Sequence, residues 1–135
     1  MPRHTEWCQV RWSDMDAFGH VNNARFLTLF EEARTALILD GGEALSGMLD
    51  GCVVIRHEID YVRPVRYGRG PIRVDCWVTE VRAASYGVGY ELFNHAEESA
   101  ARGLTKLVPV SLPAGRPRRL RPEEREFLEA WREES

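Results

Sequence analysis

A carboxylate, a glycine, an imidazole and two side-chain amides stand within one short stretch, at Asp16, Gly19, His20, Asn22 and Asn23. Asn22 and Asn23 are both good helix caps, so the stretch sets an ionisable group beside the first backbone N–H donors of a helix. Those donors lack partners within the helix and carry the positive end of its dipole. Such a place binds oxyanions. A carbonyl aimed at it is polarised, and the negative oxygen formed during attack gains about 3 kcal/mol per well-placed donor. Asp16 can then act as nucleophile, or as general base on a water molecule. The competing reading of Asp16 is an Asx turn or an early cap, and that of His20 a hydrogen-bonded structural residue.

The elements around this stretch must position it. Trp7, Cys8, Val10 and Trp12 belong to a β-prone run over Glu6 to Trp12 that ends at Ser13-Asp14-Met15-Asp16. Beyond Gly19, Phe26, Leu29, Phe30, Ala33 and Leu37 follow helical spacing, with Arg25, Glu32 and Arg34 elsewhere on the helix surface, and Gly41-Gly42 stops the helix. Val53, Ile55, His57, Ile59 and Tyr61 then alternate with polar residues, as in a half-buried strand. Ile72 to Val78 and Tyr86 to Leu92 repeat the pattern, and Leu104, Val108, Val110 and Leu112 supply a last strand interrupted by Lys106. The expected fold class is α+β: one helix of ~18 residues buries its stripe on a five-stranded, mostly antiparallel sheet that curls round it. A basic tail with Arg116, Arg118, Arg119 and Arg121 follows, and Pro122 can start a short helix through Trp131.

With 135 residues, 44% of them hydrophobic, the chain is expected to form a single domain over 1–135, its core at about 5–112 and its tail at 113–135. A net charge of -3 provides no general cationic field for nucleic acid or an anionic membrane. Cys8, Cys52 and Cys76 are odd in number and widely spaced, which suits reduced thiols in a cytoplasmic protein. His4, His20, His57 and His95 lack metal-ligand spacing, so no metal or redox cofactor is expected. No apolar run reaches the length of a membrane span. There is no Gly-x-Ser-x-Gly elbow either, so the serine-nucleophile route to acyl transfer has no motif here.

The stretch from Asp16 through Gly19, His20 and Val21 to Asn22-Asn23 and Phe26, followed by Phe30-Glu31-Glu32-Ala33-Arg34, closely resembles the signature of the 4-hydroxybenzoyl-CoA thioesterase family of hot-dog proteins. The likeness covers roughly residues 5 to 112, and it implies hydrolysis of an acyl-CoA thioester. It assigns the catalytic carboxylate to Asp16, the carbonyl-polarising N–H to Asn23, and a glycine that lets substrate approach the backbone to Gly19. His20 instead matches acyl-carrier-protein thioesterases, where a histidine here assists catalysis. Those enzymes have an asparagine at the position of Phe18, so their set is incomplete in this chain. An enoyl-thioester hydratase needs its histidine five places after the aspartate, and Asp16 to His20 fails that spacing. Acyl-carrier-protein hydrolysis and non-catalytic acyl-thioester binding are the alternative functions.

The resemblance also implies a homodimer or homotetramer in which two sheets run on into each other, with the cleft at their junction. Asn22, Phe26 and His57 are expected to line the substrate site. Their plainer roles are a helix cap, a core residue and a satisfied strand histidine. The tail arginines could meet the phosphates of coenzyme A or pair with the acidic residues after Pro122.

Overall fold

The computed structural model describes residues 3–133, Asp50 by its backbone alone; Met1, Pro2, Glu134 and Ser135, the ends of the expected domain, lie outside the described residues. The elements run β1 (His4–Cys8), α1 (Asn23–Leu39), α2 (Ser46–Asp50), β2 (Cys52–Tyr61), β3 (Ile72–Val81), β4 (Tyr86–Phe93), β5 (Ser99–Ser111), β6 (Arg116–Pro117) and α3 (Pro122–Ala130). The sheet has the order β1-β3-β4-β5-β2, and every strand pairing in it is antiparallel. The two-residue β6 adds a sixth strand beside β5. This is the α+β hot-dog arrangement, a long helix wrapped by a curled antiparallel sheet with a short C-terminal helix.

The helix forms where its apolar spacing places it. Phe26, Leu29, Phe30, Ala33 and Leu37 are all buried, and α1 packs chiefly on β1 and β3. On the facing strands Ile72, Val74, Cys76 and Val78 of β3 and Tyr86, Val88, Tyr90 and Leu92 of β4 complete the core. Phe30 stacks flat on Tyr90 at 4.4 Å between ring centres. That packing has no room for a side chain at Gly103, where a Cβ would stand 2.5 Å from the Phe30 ring.

Four expectations need correction. The first strand ends at Cys8, because Trp12–Asp14 turns into a 3-10 segment whose Asp14 carboxylate accepts the Arg11 backbone N–H at 2.9 Å. The last strand begins at Ser99, since its early residues still find partners on β4 and β2. Arg34 is not on the helix surface: only 8% of it is exposed. Its position four after Phe30 and three before Leu37 puts it on the buried face. Finally, β2 is not half-buried within the chain. It is an edge strand beyond the cover of α1, so Val53, Val54, Ile55 and Tyr61 all stay exposed.

Candidate active site

Residues 15–21 close into a small loop just before α1. Met15 bridges Val21, the Asp16 N–H donates to the His20 carbonyl at 2.7 Å, and the Gly19 N–H donates back to the Asp16 carbonyl at 3.2 Å. Gly19 holds φ +78°, a left-handed conformation that glycine adopts without strain. A Cβ there would meet nothing within 4 Å, so the position is open to an approaching molecule. His20 is anchored from the other side by a bridge to Arg66, and the Val21 N–H donates to Val65 at 2.7 Å.

Asp14 and Asp16 stand two residues apart and are held in different ways. Asp14 is buried, and its carboxylate takes the Arg11 N–H and the Arg11 guanidinium, with Arg25 nearby. Burial pushes the Asp14 carboxyl up, but the Arg11 hydrogen bonds and the two cations outweigh it and hold it below the ordinary range. Asp14 is therefore committed to structure. Asp16 is half-buried, and its Oδ1 accepts the Phe18 N–H at 2.9 Å and the His20 N–H at 3.2 Å. The Asx turn weighed above is thus present, but it occupies one oxygen only. Oδ2 has no hydrogen-bond partner among the described residues.

Asn22 caps α1: its Oδ1 accepts the Ala24 N–H at 3.0 Å, and its own N–H donates to the Asp14 carbonyl at 2.8 Å. The N–H of Asn23, the first helical residue, has no acceptor among the described residues, as expected of a donor in a first turn. Tyr61, at the end of β2, donates its hydroxyl to the Asn23 carbonyl at 2.8 Å and sets its ring edge-on to buried Phe26. In the sequence Tyr61 shows only as the last apolar-parity residue of β2, which gives no sign of this contact.

Asp16, Gly19, His20, Asn22, Asn23 and Phe26 thus meet at one end of α1. His57 does not join them within the chain. It lies four residues back along β2 from Tyr61, roughly 13 Å at strand rise, with Nδ1 2.9 Å from the Thr105 hydroxyl. Desolvation and the Arg34 guanidinium lower its pKa, with Glu31 opposing. Of the tail arginines, Arg118 makes two hydrogen bonds, at 2.8 and 2.9 Å, to the buried carboxylate of Glu124, so that residue pairs with the acidic segment. Among the described residues no group of His, Cys, Asp and Glu could hold a metal ion, and no helix is long and apolar enough to cross a membrane.

Residues 10–131 match the family model of the thioesterase-like superfamily. The chain is similar to a thioesterase from Thermus thermophilus, solved in complex with coenzyme A and Zn, with 33% identity, a TM-score of 0.82, and 94% of this chain and 92% of that one covered. A predicted thioesterase from Bacillus stearothermophilus superposes with a TM-score of 0.88 over 99% of each chain at 25% identity. A 1,4-dihydroxy-2-naphthoyl-CoA thioesterase from Synechocystis shares the fold, at 21% identity and a TM-score of 0.81 over 94% of this chain and 96% of that one. No curated protein matches the sequence significantly.

Proposed function

The chain belongs to the thioesterase-like superfamily and is a thioester hydrolase, and we propose that it cleaves acyl-CoA esters with Asp16 as the catalytic carboxylate. The observation that carries this reading is that the loop leading into α1 leaves Asp16 Oδ2 and the Asn23 N–H both without a hydrogen-bond partner among the described residues. The Asn23 donor and the helix dipole polarise the thioester carbonyl and stabilise the oxyanion. The similarity to a thioesterase that binds coenzyme A supports the choice of thiol.

Two routes use the same atom. As nucleophile, Oδ2 bonds to the carbonyl carbon, the C–S bond breaks, the thiolate is protonated from water, and a second water cleaves the anhydride. As base, Oδ2 takes a proton from water while that water's oxygen attacks the carbonyl. Thiolates leave readily, so neither route needs a full triad. His20 is fixed beside this carboxylate through its backbone and assists, while Gly19, Asn22 and Phe26 shape the mouth.

The working unit we propose is a homodimer formed through β2. This strand leaves one edge unpaired and exposes Val53, Val54 and Ile55, a combination that invites pairing with a second copy. Such pairing extends the sheet across two chains and closes a cleft over the helix mouth.

Asp16→Asn tests the assignment in a thiol-release assay on acyl-CoA esters. The expected result is a loss of at least about a hundredfold in kcat, with an unchanged circular-dichroism spectrum. Nearly full turnover in the variant would remove Asp16 from the mechanism. A single turnover in heavy-oxygen water tests for the anhydride, because attack of water on its Asp16 carbonyl leaves an unlabelled Asp16 oxygen in the product and the label on Asp16, which the base route cannot do.

A further inference from the structure

We propose that Arg34 selects the acyl group, favouring chains that end in a carboxylate over neutral chains of the same length. The inference rests on the reading above, that an acyl thioester is cleaved at the helix mouth of a homodimer.

Arg34 is a buried cation whose one ion-pair partner among the described residues, Glu31, is itself largely exposed. One terminal nitrogen donates to the Tyr90 hydroxyl at 3.0 Å. The other stands 3.5 Å from the Glu31 carboxylate, whose side chain is 66% exposed and makes no hydrogen bond to it. Tyr90 is held by its stack on Phe30, and burial pushes its phenol up although Arg34 pulls the other way, so it offers a neutral oxygen. A guanidinium carries five N–H donors, and the Tyr90 bond is its one hydrogen bond among the described residues. The donors that Tyr90 leaves unfilled remain available to a hydrogen-bonded anion, which a guanidinium binds more strongly than a neutral group.

Arg34 lines a cavity of about 290 Å³ between α1 and the start of β2, together with Glu31, Thr35, Cys52, Val54 and Tyr86. Among the described residues, Glu31 and Arg34 are the charged ones in its lining. Small-molecule sites run from about 300 Å³ upward, so this space suits the end of an acyl chain and not a whole substrate.

Within one chain the cavity lies far from Asp16, because Arg34 is 11 residues beyond Asn23, or roughly 16 Å along the helix. Two-fold symmetry changes the relation. When two β2 edges pair antiparallel in an isologous dimer, the start of β2 in one copy lies against its end in the other. That end is where Tyr61 bonds to Asn23. The Arg34 cavity of one copy then adjoins the helix mouth of the second, and an acyl chain laid at that mouth runs toward the guanidinium.

The test compares, on the native protein, the CoA esters of an ω-carboxyacyl chain, its ω-methyl ester, the plain saturated acid and a hydroxyaromatic acid. The ω-carboxyacyl ester is expected to have kcat/KM at least about tenfold above the others, mainly through KM. Arg34→Gln, which keeps a donor for Tyr90, raises KM for that ester at least tenfold and abolishes the preference; Arg34→Lys keeps part of it. Circular dichroism and thermal melting establish that each variant is folded. Equal use of the esters by the native protein, preference for the hydroxyaromatic ester, or a preference that survives in Arg34→Gln would overturn the inference alone. Failure to cleave any ester would overturn the acyl-CoA reading and this inference together.

Discussion

The Tyr61 hydroxyl donates to the Asn23 carbonyl at 2.8 Å, and so ties the end of the sheet's edge strand to the first residue of the central helix. The same ring packs edge-on against Phe26. One side chain therefore fixes the helix start to β2, the strand through which we propose that two copies pair.

Tyr61→Phe removes the hydroxyl and keeps the ring on Phe26. We expect a loss of about 1 kcal/mol, the usual net contribution of one hydrogen bond, in urea unfolding. A loss several times larger would show that the hydroxyl organises more than the Asn23 carbonyl.

Ile55→Lys puts a charge in the middle of the exposed edge of β2, the device by which sheet edges resist pairing. Its side chain is 59% exposed in the chain, so folding of the monomer is expected to be unaffected. Sedimentation velocity is expected to show a dimer for the native protein and a monomer for the variant, and thioesterase turnover should fall with it. Full activity in a proven monomer would refute the shared cleft.

Gly103→Ala tests the packing beneath Arg34. The added methyl would lie 2.5 Å from a Phe30 ring carbon and 3.1 Å from the Glu58 carbonyl oxygen. Phe30 is held by its stack on Tyr90, the cross-strand partner of Gly103, and cannot move freely. Overpacking of this kind costs about 1–3 kcal/mol, readable as a lower urea midpoint.

Glu124→Ala breaks the buried pair that anchors the C-terminal helix to the arginine segment. Burial pushes the Glu124 carboxyl up, but the Arg118 guanidinium and the Arg121 N–H outweigh it, and the folded pKa lies below the unfolded one. The contribution is therefore complete above the unfolded value, about 4.3, and is lost as pH falls through the folded value. At pH 7 the variant should be about 3 kcal/mol less stable. The gap between native and variant should narrow steadily below about pH 4. A gap that stays constant down to pH 2 would show that the charge of Glu124 is not what stabilises the pair.

Several features needed only local information. Spacing alone marked Phe26, Leu29, Phe30, Ala33 and Leu37 as the helix face that packs on the sheet, because helical geometry repeats every 3.6 residues whatever it packs against. An asparagine cap at Asn22 or Asn23, which the structure places at Asn22, and Pro122 at the head of the last helix follow in the same way from backbone chemistry that acts within a few residues. The order of strands and helix was also legible, and so was the stretch from Asp16 to Asn23, whose residues stay together because they are joined through the chain.

Other features depend on which distant surfaces meet. Alternation in β2 gives two faces to the strand but does not say that it lies at an edge, outside the cover of α1; that follows from the pairing order β1-β3-β4-β5-β2. The charge of Arg34 points to the surface, yet the residue is buried with the Tyr90 hydroxyl, 56 residues away in sequence, as its hydrogen-bond partner. The spacing of Asp14 and Asp16 makes them look interchangeable, yet Arg11 and Arg25 commit the first to structure while the second keeps one oxygen free. Burial and partner choice are settled by contacts remote in sequence, and periodicity carries no record of them.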